Sequence, residues 1–231
     1  MHRETFEIDF QHACPVKIST PRAVDLSTDK PLPAEIPIVI ALHGYGQNED
    51  RMRRFMSPIS GLPFIWVYPR AVYPLEMRQP EKIRIGNAWY MYTGDQDDLR
   101  ESMAQSMKHI MNVREQVIER FGERACAIVG FSQGGYLAGL TGACHPQAFK
   151  AAASLTGRLK HEFMPDGNGV KLAQFHGLDD ENVAPELARD AVEATRTKGF
   201  EVEHFEIKDT AHAISEDMAE KLGDWLKKVL A

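Results

Sequence analysis

The sequence predicts an α/β fold: a mostly parallel central sheet with helices on both faces and antiparallel strands at its N-terminal edge. Three observations carry that prediction. Short apolar runs at Ile38–Leu42, 64–68, 125–129, 150–155 and 170–175 alternate with helical patterns, at intervals of about 25 to 45 residues. Several of these runs are continuous rather than alternating, which marks strands covered on both faces. The segments between them place apolar residues three or four apart, the spacing of one helix face.

In order, residues 1–36 hold two candidate edge strands, around Phe6 to Phe10 and Val16 to Ile18, and a polar, proline-rich connection. The run Ile38–Leu42 ends in His43-Gly44-Tyr45-Gly46 and leads to a short helix over Glu49–Phe55. A second buried strand over 64–68 is closed by Pro69. Over 71–97 the periodicity lapses while Tyr73, Met77, Ile83, Ile85, Trp89, Tyr90, Met91 and Tyr92 accumulate, so this stretch reads as a long functional loop lining a substrate pocket. Leu99, Met103, Met107, Ile110, Val113, Val117 and Phe121 then define a long helix that Gly122 stops. After the strand at 125–129 come a turn at Ser132, a glycine- and alanine-rich helix to Cys144, and the strands at 150–155 and 170–175. A helix over Pro185–Thr197 closed by Gly199, a last strand over 200–207, and an amphipathic helix marked by Ile214, Met218, Leu222, Trp225 and Val229 complete the chain. A single domain over 1–231 is expected from this length.

Composition narrows the function. Hydrophobic residues at 43% and charged residues at 26% are ordinary for a globular chain and argue against disorder. A net charge of -6 gives no electrostatic case for a nucleic-acid partner. The first residues carry charges where a signal peptide needs an apolar run, and no stretch has the roughly 20 apolar residues of a membrane span. A cytoplasmic location is the expectation. The cysteines Cys14, Cys126 and Cys144 lack Cys-x-x-Cys spacing and read as reduced thiols. No phosphate loop, zinc motif or calcium loop is present in the sequence, and no cofactor is expected.

The chemistry gathers at Gly130-Phe131-Ser132-Gln133-Gly134. An apolar strand before it and a helix after it put Ser132 on a strand-to-helix turn, with its hydroxyl pointing off the end of the sheet. A serine hydroxyl is a weak nucleophile unless a base and an orienting carboxylate reach it. In folds built on this turn, the acid and then the histidine follow at the ends of later strands. His212, in a loop between the last strand and the last helix, is preferred as base over His204, which falls inside a strand. Asp179 and Asp180 both leave the preceding strand; Asp180 is preferred as the acid, and Asp179 has the competing reading of a turn residue. An oxyanion formed on attack needs fixed donors. The backbone N–H of Gln133 and that of Tyr45, in the glycine-flanked loop after Leu42, are the candidates. His43 and His176 read as braces for their loops.

Together, Gly130-Phe131-Ser132-Gln133-Gly134-Gly135, Leu42-His43-Gly44 with Gly46, His176-Gly177 with Asp180, and His212 before a terminal helix resemble the phospholipase/carboxylesterase family of α/β-hydrolases, which includes acyl-protein thioesterases and small bacterial carboxylesterases. The resemblance runs from about residue 36 to the C-terminus. It implies an α/β-hydrolase fold, Ser132 as nucleophile, Asp180 as acid, His212 as base, oxyanion donors at Tyr45 and Gln133, no cofactor and, as in many members, a homodimer. It also implies hydrolysis of small ester or thioester substrates through an acyl-enzyme, with Tyr45 and the segment of Trp89, Tyr90 and Tyr73 lining the acyl pocket. The chain departs from the family pattern at Tyr45, Gln47, Ala211, Glu181 and Met91; at Tyr45 backbone donation survives the change of side chain, whereas substrate preference would change. Two other readings stand beside this one. A catalytically silent hydrolase fold would bind an apolar ligand or partner, and a serine peptidase would use the same turn for amides.

Overall fold

A computed structural model describes residues 14–21, 33, 35–80 and 82–231. The expected strand around Phe6 to Phe10 lies outside these residues. A seven-stranded sheet runs in the order β1 (Val16–Ser19), β3 (Ile65–Pro69), β2 (Ile38–Leu42), β6 (Cys126–Phe131), β7 (Ala151–Leu155), β8 (Lys171–Gly177) and β9 (Val202–Ile207). Only β1 is antiparallel to its neighbour, so the antiparallel edge expected at the N-terminal side is present in its described part. The other strands pair in parallel, with Ile38 to Leu42 of β2 in register with Cys126 to Gly130 of β6.

The continuous apolar runs have the expected cause. Along β2, Ile38, Ile40 and Leu42 face one layer, and Val39 and Ala41 face the other, because alternate side chains leave a strand on opposite sides. The first layer is covered by α2 (Gln96–Phe121), α3 (Gln133–Cys144) and α4 (Pro185–Thr197), through Met103, Ile110, Leu137 and Val192. The second is covered by α1 (Glu49–Phe55) and α5 (Glu216–Leu230), through Met52, Met218, Leu222 and Trp225. Each such side chain, fully buried, contributes about 1.5 to 3 kcal/mol, so neither face of the sheet could be left open.

Helix ends follow local chemistry. The Asp95 side chain accepts from the N–H groups of Asp97 and Asp98 to start α2, and Gly122, at φ 84°, ends it. Ser215 caps α5 through the N–H of Met218.

The long loop expected over 71–97 requires correction. Within it β4 (Tyr73–Gln79) and β5 (Lys82–Ala88) form a two-stranded antiparallel hairpin, with Tyr73 opposite Ala88. The alternation Tyr73, Leu75, Met77 is a period of two, and Pro74 is tolerated because the hairpin lies outside the main sheet. Its exit strand is fastened to the loop after β2: Gly46 N–H donates to the Asn87 carbonyl at 2.9 Å, and Asn87 N–H to the Gln47 carbonyl at 3.0 Å.

Candidate active site

β6 delivers Ser132 into a turn that only its neighbours make feasible. Ser132 sits at φ 51° and ψ -117°, a left-handed backbone that stores strain. A Cβ on Gly130 would lie 2.1 Å from the Gly134 carbonyl oxygen, and one on Gly134 would lie 2.6 Å from the carbonyl oxygens of Leu42 and His43. Any side chain at either position would force the turn open. Ser132 N–H continues the sheet to the Leu155 carbonyl at 2.8 Å, but its side chain does not cap α3. The hydroxyl goes instead to His212, whose Nε2 is 2.9 Å from Ser132 Oγ.

His212 reaches that position because β8 and the loop after β9 touch. A Cβ on Gly177 would collide with the Thr210 carbonyl oxygen at 2.1 Å, and Asp179 N–H bonds that same carbonyl at 3.0 Å. The imidazole Nδ1 lies 2.8 Å from Asp180 Oδ2 and 3.0 Å from Oδ1. Its Nδ1–H therefore donates to the carboxylate, leaving the Nε2 lone pair to accept a hydrogen bond from the Ser132 hydroxyl. The Phe131 ring, 5.3 Å between centroids, lies against the imidazole and limits its swing.

Asp180 is fully buried and does not stand alone. Asn182 and Val183 each donate a backbone N–H to Oδ1 at 2.9 Å. On the other oxygen, His176 Nε2 lies 3.4 Å away while donating to the Val183 carbonyl at 2.8 Å. These contacts fix the carboxylate plane. Asp179 is exposed, with no hydrogen bond among the described residues beyond the backbone one, and His204 stays within β9, its Nε2 unpartnered among them. Of the alternatives left open by the sequence, Asp180 and His212 are the pair brought to Ser132.

Neither the Tyr45 N–H nor the Gln133 N–H is engaged by an acceptor among the described residues. The Gln133 N–H follows the serine at the start of α3, and the Tyr45 N–H lies on the loop after β2, whose His43 carbonyl comes within 2.6 Å of where a Cβ on Gly134 would stand. That loop is held from several sides. The buried His43 donates from Nδ1 to the Gly44 carbonyl at 2.8 Å and accepts the Ala71 N–H at Nε2. Burial pushes the His43 pKa down to about 4, against smaller raising effects from the Gly44 carbonyl and Glu49. Arg84 of the hairpin donates to the Gly46 carbonyl at 2.9 Å.

The pocket residues expected from the sequence separate. Trp89 is fully buried, its indole N–H on the His43 carbonyl at 2.8 Å, so its ring braces the loop and presents no surface to a substrate. Tyr73 bonds Gln105 of α2 through its hydroxyl. Trp89 and Tyr90 are both held, through backbone groups, at the start of α3. The Gln133 amide clamps that segment, accepting the Trp89 N–H and donating to the Tyr90 carbonyl, both at 2.8 Å. Neither this clamp nor the Phe131 and His176 contacts carries a signal in the one-dimensional pattern beyond the residues' place in the motifs.

The chain matches the family described as Phospholipase/Carboxylesterase over residues 26–230. It is 32% identical over 163 residues to Acyl-protein thioesterase 1 homolog 2 of Dictyostelium discoideum, spanning 63% of this chain and 70% of that protein. The crystal structure of esterase PE8 aligns with TM-score 0.73 at 17% identity, covering 94% of this chain and 99% of that one. Acyl-protein thioesterase 2 of Zea mays aligns with TM-score 0.68 at 18% identity, covering 95% and 100%. The two structural likenesses show the α/β-hydrolase fold.

Proposed function

The chain belongs to the phospholipase/carboxylesterase family and is a serine hydrolase of that kind, and from that premise we propose that Ser132, His212 and Asp180 form its triad and cleave small apolar acyl esters or thioesters. The observation that carries this reading is the unbroken series of contacts: 2.9 Å from Ser132 Oγ to His212 Nε2, then 2.8 Å from His212 Nδ1 to Asp180 Oδ2.

In the cycle, Ser132 Oγ attacks the substrate carbonyl carbon and its proton passes to His212 Nε2. The carbonyl oxygen becomes an oxyanion facing the N–H groups of Tyr45 and Gln133, donors already fixed by their backbone and thus needing no reorganisation. Asp180 stays ionised and stabilises the imidazolium. The imidazolium protonates the departing alcohol or thiol, leaving an acyl ester on Ser132. Water then loses a proton to His212, attacks the acyl carbon and releases the acid, returning the proton to Ser132. Each proton has a donor and an acceptor among these residues, substrate and water, so the cycle closes without a cofactor.

Apolar acyl groups suit the surroundings. Tyr45, Ile85 and Met91 are exposed on the loop after β2, on the hairpin bonded to it and just past the hairpin's exit. Turnover of activated esters and acyl thioesters of increasing chain length, by wild type and Ser132→Ala, tests the reading. The variant is expected to lose at least about a thousandfold in kcat. Wild type inert toward the whole panel would contradict the proposal.

A further inference from the structure

One charged cluster beside the nucleophile is unused by this cycle. The loop after β7 runs against the serine turn: a Cβ on Gly157 would lie 2.8 Å from the Ser132 carbonyl oxygen and 3.0 Å from Cδ2 of Tyr136. The next residue, Arg158, extends over the Tyr136 ring, its guanidinium carbon 5.9 Å from the centroid. Tyr136 stands one turn beyond Ser132 on α3, and its N–H bonds the Ser132 carbonyl. Tyr90 is tied to the same turn through its backbone carbonyl, which accepts from the Gln133 amide.

We propose that Arg158, together with the Tyr136 phenol, forms a subsite for a carboxylate carried by the substrate. This deepens the esterase reading and rests on Ser132 as nucleophile. The charge balance favours an anion here. Arg158 and Lys160 have one carboxylate between them, Glu162, at 3.1 and 3.4 Å, while Asp180, whose charge also reaches Tyr136, is engaged by His212. Arg158 gives Glu162 one of its five N–H groups, and its side chain remains 25% exposed.

The Tyr136 phenol, raised further by burial with Arg158 opposing, is protonated at neutral pH as any tyrosine is, and so is a donor. A planar guanidinium with free N–H groups matches a carboxylate in two-point geometry. An apolar portion of substrate would lie toward the hairpin and the charged end toward Arg158.

Binding separates this inference from the activity. The Ser132→Ala protein is titrated with a nitrophenyl half-ester of succinic acid and with acetoxybenzoate, each against its methyl-capped neutral counterpart. At least one anionic compound is expected to bind about tenfold more tightly than its neutral partner, consistent with one charge-assisted bond. That preference should vanish in Ser132→Ala/Arg158→Gln, persist in part in Ser132→Ala/Arg158→Lys, and shrink as salt rises from about 0.05 to 0.5 M. Equal binding of charged and neutral compounds, or a preference that survives Arg158→Gln, overturns the subsite. The salt series needs no substitution at Arg158, so a misfolded variant cannot decide the question. A charge preference in a protein that hydrolyses no ester would leave the subsite standing and remove the esterase reading.

Discussion

Ser132 owes its place to backbone strain that its neighbours relieve, and His43 shows how a residue outside the proton path can still govern the site. His43 is buried and neutral, its two nitrogens bridging the Gly44 carbonyl and the Ala71 N–H. A proton added at Nε2 would break the second bond. Its pKa falls from 6.5 to about 4 on folding, so the unfolded chain binds a proton first as pH drops. Stability from this residue is complete above pH 6.5 and is lost progressively as pH falls toward 4. Between pH 7 and pH 5 the loss is roughly 2 kcal/mol. Urea unfolding of wild type and His43→Gln at both pH values checks this. The variant should be weaker at pH 7 and should fall less on acidification, while His109, His145 and His204, also depressed by burial, act equally in both proteins. At this scale the sequence was most informative where a motif fixes spacing, as at Ser132, Asp180 and His212. It was silent on the Gln133 amide, because which way a side chain bonds depends on the segment that folds over it.

At the scale of elements, the β4–β5 hairpin is the part that the sequence left unread. Its alternation was present at Tyr73, Leu75 and Met77, but Pro74, Gly86 and a high density of aromatic residues made it look irregular. Among the described residues the two strands pair with no strand of the main sheet, so no apolar face on both sides announced them. The hairpin matters because it holds the loop that carries the Tyr45 N–H. A Cβ on Gly86 would lie 2.4 Å from the Gly46 carbonyl oxygen, backbone against backbone. Gly86→Ala should push that loop by a fraction of an ångström to an ångström and lower kcat by up to about a hundredfold, the cost of misplacing a fixed donor. Its melting temperature should barely move, since the hairpin lies outside the main sheet. A variant with unchanged kcat would separate the hairpin from the oxyanion donors. The strands of the main sheet, in contrast, were legible because burial on both faces demands unbroken apolar runs.

For the whole molecule, the sheet between two helical layers is what brings residues 132, 180 and 212 to one edge. The order of strands and helices was readable from alternating periodicities, whereas the pairing order β1-β3-β2-β6-β7-β8-β9 was not, because no local pattern encodes which strand lies beside which. Trp225 of α5 locks the second layer far from the serine, packing against Phe175 and donating its indole N–H to Glu203 at 3.0 Å. Trp225→Ala should cost about 3 to 5 kcal/mol, read as a lower urea midpoint. The activity per folded molecule should stay near wild type, and a large loss of it would show that the far layer shapes the site directly. The activity itself depends on one nucleophile, which an activated fluorophosphonate can mark covalently. Mass spectrometry of the labelled, digested protein should find the adduct on Ser132 in wild type and none in Ser132→Ala, with labelling at least about a hundredfold slower in His212→Ala. An adduct on another residue, or no adduct in folded wild-type protein, would contradict the account.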